Sequence, residues 1–189
     1  MKQPIPVHEP SADQVIDCFN LRFSASEGTI LVGDADEPYY EPGSPNIIYF
    51  REDFIRSALH EVAHWCVAGS TRRTLPDYGY WYAPDGRDDA QQTAFYGVEV
   101  KPQAIEKAFC MAIGIPFKVS VDNLSVSPSD PAIASFAGAV EDQFAAMMID
   151  GLPHRAEVFR QTLSDLSLGH NSPAISGVYD DGRLPQVSQ

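Results

Sequence analysis

Two histidines and a glutamate fall within five consecutive residues of this chain, His60-Glu61-Val62-Ala63-His64, and form the pattern HExxH. On a helix each residue advances by about 100°, so His60 and His64 lie about 40° apart on one face and one turn apart along the axis. Two imidazoles in this arrangement can bind one metal ion, while Glu61 projects to the side, where it can act on a metal-bound water. The pattern therefore predicts a metal centre with Glu61 as the candidate catalytic residue.

The element that carries this pattern is predicted to be a buried helix. Asp53 is placed to cap its start, apolar side chains occupy most positions up to Ala68, and Gly69 is placed to end it. Histidines on so buried a helix need hydrogen-bond partners or a metal. Chance is the alternative explanation, because HExxH specifies only three positions, but its place inside a capped, apolar helix favours metal binding.

A third metal ligand has to come from another part of the chain. The remaining histidines are isolated and are predicted to lie on the surface: His8, His154 and His170. Glu99 lies between Val98 and Val100 at the start of a second long predicted helix, and an acid enclosed by apolar residues needs a cation or a proton. The alternative is a first-turn glutamate favoured by the helix dipole, since Pro102 is easiest to place in a first turn. Two histidines and a carboxylate leave open positions on the metal, which suits catalytic zinc or nonhaem Fe(II).

A second unusual stretch, residues 77–89, combines clustered tyrosines and a tryptophan with several acids. Aromatic walls with carboxylates at the ends can bind a cationic chain. A surface loop whose aromatic rings pack over the core and whose acids are solvated explains the same composition equally well.

Charge and cysteine content restrict the partners and the compartment. The 189 residues include 13 Lys and Arg against 26 Asp and Glu, a net charge of −13. Such a field repels nucleic acid and anionic membranes and favours basic partners, so neither a nucleic acid nor a membrane is predicted as a partner. We also expect no apolar stretch that approaches the length of about 18 residues needed to span a bilayer. Three widely spaced cysteines, Cys18, Cys66 and Cys110, favour reduced thiols in a cytoplasmic protein.

The spacing of apolar residues predicts a single α+β domain, mostly helical around a short mixed sheet, with HExxH on a zincin-like metal helix. Helices are expected at residues 11–19, 53–68, 98–113, 131–150 and from residue 153 onward, and strands at residues 29–32, 46–50 and 117–121. Residues 34–43 are expected to form a turn-rich loop. We assign residues 1–10 to a loose leader, 11–168 to the domain and 169–189 to a flexible tail.

Four stretches taken together, residues 57–66, 77–88, 98–104 and 116–124, resemble the elongation factor P hydroxylase family, and the likeness covers residues 30–165. The resemblance implies a metal site of His60, His64 and Glu99 in a bacterial, metal-dependent hydroxylase. The implied substrate is elongation factor P whose acceptor lysine already carries a β-lysyl group. Hydroxylation of this modified lysine is the implied last step of the modification of the factor.

Fe(II) with O2 is the metal and co-substrate that the resemblance implies, because C–H hydroxylation requires an oxidant and zinc has no redox chemistry. Another divalent metal such as zinc can still occupy the site in the purified protein. For the cationic side chain of the substrate, the predicted binding residues are Asp77, Tyr80, Trp81, Tyr82, Asp85 and Asp88.

Two other functions remain open at this point. The first is a zinc metallopeptidase, which HExxH with a distal glutamate ligand suggests directly, and in which Glu61 would be the general base. The second is a noncatalytic, metal-stabilised protein that docks on a basic partner.

Overall fold

Five α-helices, three strands and two short 3-10 helices, Arg72–Thr74 and Pro76–Gly79, form the regular structure in the part of the chain that the computed structural model describes, which covers residues 9–80, 87–121 and 130–169. In chain order the α-helices and strands are α1 Ala12–Glu27, β1 Thr29–Ala35, β2 Tyr39–Glu41, β3 Asn46–Arg51, α2 Ile55–Val67, α3 Asp89–Ala112, α4 Pro131–Asp150 and α5 His154–Ser167. The predicted α+β class, mostly helical with a small mixed sheet in one domain, is confirmed. The leader (apart from residues 9 and 10) and the tail beyond residue 169 lie outside the described residues, so the proposed domain limits stay a prediction.

The sheet has the order β1-β3-β2, with β1 parallel and β2 antiparallel to β3. Both strands predicted before α2 are present, although β1 continues three residues further than expected, to Ala35. Strand β2 lies inside the stretch predicted to be only loop. The strand forms because Tyr40 pairs with Ile48 of β3, and because the backbone N–H of Tyr40 donates a hydrogen bond to the carboxylate of Asp77, 2.8 Å away. Asp77 is 37 residues away, and the turn signals around the short strand concealed its pairing with β3.

Helix α1 begins as predicted at Ser11, whose side chain and that of Gln14 cap each other's backbone N–H groups. The predicted end at residue 19 is wrong, since the helix runs to Glu27 and stops at Gly28, which has a left-handed φ of 58°. The additional turns bring Phe23 into the core beside Phe19. The aromatic centre of the core lies where α1, α2, α3 and α5 meet, and consists of Phe19, Phe23, Trp65, Phe109 and Phe159.

Helix α2, which carries HExxH, is present and agrees with the predicted extent within two residues at each end, but its predicted caps are wrong. Its N-cap is Phe54, with no side-chain cap, so Asp53 does not cap it. Gly69 does not adopt the positive φ by which a glycine usually ends a helix. The end of the helix is instead held by Arg155 of α5, whose Nη2 lies 2.8 Å from the carbonyl oxygen of Trp65 and 2.7 Å from that of Ala68. A guanidinium from a distant helix thus satisfies carbonyl groups that have no partner within α2.

Helix α3 begins at Asp89, nine residues before the predicted start at residue 98. Asp88 is its N-cap and shares a capping box with Gln91. Pro102 therefore lies in the middle of the helix, and the expectation that it belongs to a first turn is wrong. The proline removes one backbone hydrogen bond of the helix, but packing of α3 against α2, α4 and α5 outweighs that local cost. Glu99 consequently lies ten residues inside α3, where the helix dipole does not account for its burial.

Residues 117–121, predicted to be a strand, are irregular and lie outside the sheet. Side chains of the neighbouring helices satisfy the backbone of this segment in place of a second strand. The amide of Gln103 bonds both the N–H and the C=O of Ser120, at 3.0 and 2.8 Å. Arg56 donates to the carbonyl oxygen of Lys118. Apolar and polar residues do alternate here, as in a strand, but the backbone N–H and C=O groups of the segment bond to side chains and not to a neighbouring strand.

Helix α4 starts at Pro131 after the N-cap Asp130, as predicted, and α5 follows Pro153. Helix α4 has 20 residues and contains an 18-residue window with a mean hydropathy of 1.2, so by length and composition it could cross a membrane. This corrects the expectation that no stretch reaches such a length. Buried residues of α4 pack on the domain, and Glu141 forms an ion pair with Lys107 of α3. One such helix is weak evidence for a membrane span, and only 17% of its apolar window is buried against the rest of the described domain.

Candidate metal centre

The HExxH histidines face a polar stripe of α3 across the interface between two packed helices. On α2 the polar residues recur at positions i, i+3, i+4 and i+7, which places Ser57, His60, Glu61 and His64 on one face. The opposite face of α2 is fully buried in the core, and its residues are Ala58, Leu59, Val62 and Ala63. On α3 the facing residues are Glu99, Gln103 and Glu106, each at most 2% exposed. Helical spacing on both helices therefore concentrates the polar side chains at the interface between α2 and α3.

The donor atoms of His60, His64 and Glu99 converge on one point. The two histidine Nε2 atoms lie 3.1 Å apart. His64 Nε2 lies 3.1 Å from Glu99 Oε1, and His60 Nε2 lies 3.5 Å from Glu99 Oε2. An ion with bonds of about 2.0–2.2 Å to such ligands holds neighbouring donors about 3 Å apart. The spacing therefore fits a single metal ion, and among the described residues these three form the group that can hold one.

The charges around these donors also favour a cation. Burial raises the pKa of Glu99, but the imidazoles of His64 and His60 outweigh burial and lower it to about 2. Burial lowers the pKa of His60, yet the hydrogen bond with Glu106 and the charges of Glu99 and Glu106 raise it to about 10. The carboxylates of Glu99 and Glu106 therefore favour positive charge at His60. A divalent ion would supply such charge, because metal binding releases protons from its ligands.

The three donors lie in the wall of a cavity of about 470 Å³. Glu61 also lines it, and burial raises the pKa of its carboxyl against the opposing effect of His60 and His64. Of the predicted substrate-binding residues, Asp77 and Tyr80 line the cavity. Asp88 does not belong to the described lining; it is exposed and caps α3. The other three, Trp81, Tyr82 and Asp85, lie outside the described residues.

A sequence model of the Elongation factor P hydroxylase family matches residues 18–172 of the chain. The chain belongs to this family. A relative from Haemophilus influenzae, named elongation factor P lysine hydroxylase, is 45% identical over 159 residues, which cover 82% of this chain and 88% of the relative. The resemblance read from the sequence is confirmed. The match includes α2 and α3 and therefore all three donor residues.

In this family member, the segment that carries Asp77 has a strained backbone. Asp77 and Tyr78 adopt positive φ values of 45° and 57°, which residues other than glycine rarely adopt. Two contacts to β2 offset this cost. Asp77 accepts a hydrogen bond from the backbone N–H of Tyr40, and the ring of Tyr78 stacks on that of Tyr40 at 4.2 Å. Strand β2 therefore fixes the position of one wall of the cavity.

Sequence reasoning missed four residues of the site. Gln103 bonds Glu99, Glu106 bonds His60, Arg56 bonds Glu106, and Glu37 lies at the cavity wall. A signal for two of them was available, because Glu99, Gln103 and Glu106 recur at i, i+4 and i+7, which places them on one face of a helix. The predicted start of α3 at residue 98 placed Glu99 in the first turn, where the helix dipole offered another explanation for it. Glu37 carried no such signal, since it reaches the cavity through the fold of β1 and β2.

Proposed function

We propose that this protein hydroxylates the β-lysylated lysine of elongation factor P, with a divalent metal, Fe(II), held by His60, His64 and Glu99 and with O2 as co-substrate. Family membership and the name of the Haemophilus influenzae relative support the hydroxylase activity and its target. The observation that carries the assignment to this site is the convergence of three donor groups beside a cavity. A modification enzyme of a translation factor would act in the cytoplasm.

The donor set fits the proposed metal and the proposed reaction. Two imidazoles and one carboxylate are the ligand set of nonhaem Fe(II) oxygenases, which keep open positions on the metal. A redox-active ion at this site would supply the electron transfer to O2 that zinc lacks. In the overall reaction one oxygen atom enters the C–H bond and the other leaves as water. Two electrons and two protons are consumed, so the reaction requires an external two-electron reductant.

The other residues of the cavity have roles that follow from their position. Acidic groups on three elements, Glu37, Glu61 and Asp77, line the space through which a cationic side chain would reach the metal. Together with Tyr80 they would orient the ammonium groups of the β-lysyl extension. Trp81, Tyr82, Asp85 and Asp88 stay predicted substrate residues of the adjoining segment. The net charge of −13 would also accelerate encounter with a cationic target.

Glu61 is the feature that keeps a zinc metallopeptidase as the second candidate. It lines the cavity next to both histidines, where a peptidase places its general base. In the proposed hydroxylase no water has to be deprotonated for attack, so Glu61 would orient the substrate or hold hydrogen-bonded groups around the metal. Family membership favours the hydroxylase.

The decisive experiment loads the protein with Fe(II) anaerobically, adds β-lysylated elongation factor P and then oxygen with a reductant, and analyses the factor by mass spectrometry. A gain of one oxygen atom on the modified lysine is expected, and zinc-loaded protein is the negative control. Cleavage of the factor would establish the peptidase instead. Binding without either product would favour the noncatalytic alternative.

The same assay tests recognition of the β-lysyl group. Unmodified elongation factor P should be a poor substrate because it lacks the additional ammonium. The rate advantage should decrease with salt, since the Debye length falls from about 30 Å at 0.01 M to about 10 Å at 0.1 M. Equal rates for both forms of the factor, with no effect of salt, would contradict this mode of recognition.

A further inference from the structure

Glu106 is a buried carboxylate whose two oxygens have different partners. It lies on α3 two turns beyond Glu99 and is 2% exposed. Its Oε1 accepts hydrogen bonds from Nη2 and Nε of Arg56, at 2.8 and 3.3 Å. Its Oε2 lies 3.0 Å from Nδ1 of His60. A carboxylate is buried at this depth only when such partners compensate for the loss of water.

The contact with Glu106 determines which nitrogen of His60 carries a proton. An ionised carboxylate can only accept hydrogen bonds, so Nδ1 of His60 must be the donor. In the neutral ring, the lone pair then lies on Nε2, which is the atom that faces Nε2 of His64 and the carboxylate of Glu99. Carboxylate–histidine contacts of this kind fix the tautomer and the orientation of metal-binding histidines.

We propose that Glu106 is a positioning residue of the metal centre: it holds His60 with the proton on Nδ1 and presents Nε2 to the metal. This inference rests on the proposed metal site, but not on the identity of the substrate. Glu106 acts through His60, because both of its oxygens are already engaged by Arg56 and by Nδ1.

Arg56 completes the arrangement by fixing Glu106 in turn. Besides its bonds to Glu106, its Nη2 donates to the carbonyl oxygen of Lys118 at 2.6 Å, and its guanidinium lies over the ring of Phe117. The path from the segment at residues 117–121 to the metal site therefore runs through Arg56, Glu106 and His60. Each contact in this path is a charge-assisted bond or a bond between fixed helices, which restricts the rotation of the imidazole.

The first test observes the tautomer directly in the unaltered protein. Protein labelled with ¹⁵N in its histidines is loaded with Zn(II), which is diamagnetic, and the ring nitrogens of His60 are assigned by ¹H–¹⁵N correlation. The expected spectrum shows a slowly exchanging proton on Nδ1 and a metal-bound Nε2. A metal-bound Nδ1, or a His60 ring outside the metal site, would overturn the inference whatever the outcome of the hydroxylation assay.

The second test compares Glu106→Gln with Glu141→Gln, a matched control whose carboxylate pairs with Lys107 on the outer side of α3. Metal affinity is measured by competition with a chromophoric chelator, and coordination is followed by the visible spectrum of the Co(II)-loaded protein. Glu106→Gln should weaken metal binding by about 10–100-fold and change the Co(II) spectrum, whereas the control should do neither. Unchanged affinity and spectrum in Glu106→Gln would overturn the inference. Should this variant fail to fold, the tautomer measurement decides alone.

Discussion

Gln103 donates a hydrogen bond from Nε2 to Oε2 of Glu99, 3.2 Å away and one turn earlier on α3. This contact leaves Oε1 of Glu99 as the oxygen that faces Nε2 of His64. The same amide group bonds both backbone polar groups of Ser120. The carboxylate of the candidate metal site is therefore held by a side chain that also anchors the irregular segment beside it.

Replacing Gln103 with leucine should weaken metal binding by about 10–100-fold, because Glu99 loses the bond that orients it. Gln161→Leu is a matched control, since Gln161 also donates to a glutamate one turn earlier, Glu157, but on the exposed side of α5. Chelator competition on both variants measures the effect. Equal affinities in the two variants would show that Gln103 supports only the backbone near Ser120.

Each of His60→Ala, His64→Ala and Glu99→Ala should lose bound metal and hydroxylation while the fold persists, because a core of this size does not need an ion to fold. Metal content by elemental analysis and far-ultraviolet circular dichroism test this. His154→Ala serves as the control, since His154 is exposed at the start of α5. Stoichiometric metal and full activity in Glu99→Ala would exclude Glu99 as a ligand.

Glu61→Gln should retain metal and lower the hydroxylation rate by about 10-fold without abolishing it, since in the proposed hydroxylase Glu61 would orient groups near the metal and would not be required as a base. The measurement is turnover of metal-replete protein at saturating substrate. A metal-replete variant with no detectable turnover would assign Glu61 an essential proton-transfer role, as in a peptidase.

Arg155→Ala should lower the free energy of unfolding by about 2–4 kcal/mol, because the carbonyl groups at the end of α2 lose a charged donor. The control on the same helix is Arg160→Ala, which removes only a partly exposed pair with Glu157 and should cost less than about 1 kcal/mol. Urea unfolding of the metal-free proteins measures both values. A similar small loss in both variants would show that α2 ends without help from Arg155.

The three cysteines are unpaired and buried, and burial raises the pKa of each thiol, to about 12 for Cys18 and Cys110 and further for Cys66. The native thiols should therefore react with a disulfide reagent at pH 8 only after unfolding. Because the folded pKa values exceed the unfolded value of about 8.5, the associated stability is complete below that pH and is lost as the pH rises toward 12. Rapid labelling of native protein at pH 8 would contradict the burial.

Local patterns predicted the parts of the fold that rest on spacing within one element. HExxH placed two histidines on one helical face, the capping signal at Ser11 located the start of α1, and the Asp130-Pro131 pair located the start of α4. These features depend on helix geometry and on side chains a few residues apart. Glu99 was also selected correctly as the partner that the structure brings to the histidines, on its apolar neighbours and on the resemblance to a family.

Other features depended on partners far along the chain and could not be read locally. Strand β2 exists through Asp77 and β3, the end of α2 depends on Arg155, and the segment around Ser120 is satisfied by Gln103 in place of a strand. The preference of proline for the first turn of a helix also misplaced Pro102, since packing of α3 against three helices outweighs one missing hydrogen bond.

The sequence by itself determined the residue types of the candidate metal site, their helical spacing and the family. Only the tertiary structure decided which atoms meet: Nε2 rather than Nδ1 of His60 faces His64, because the packing of α2 on α3 brings Glu106 to the other side of the ring. Residue spacing specifies the face of a helix, but the orientation of a side chain within that face depends on contacts that form when the helices pack.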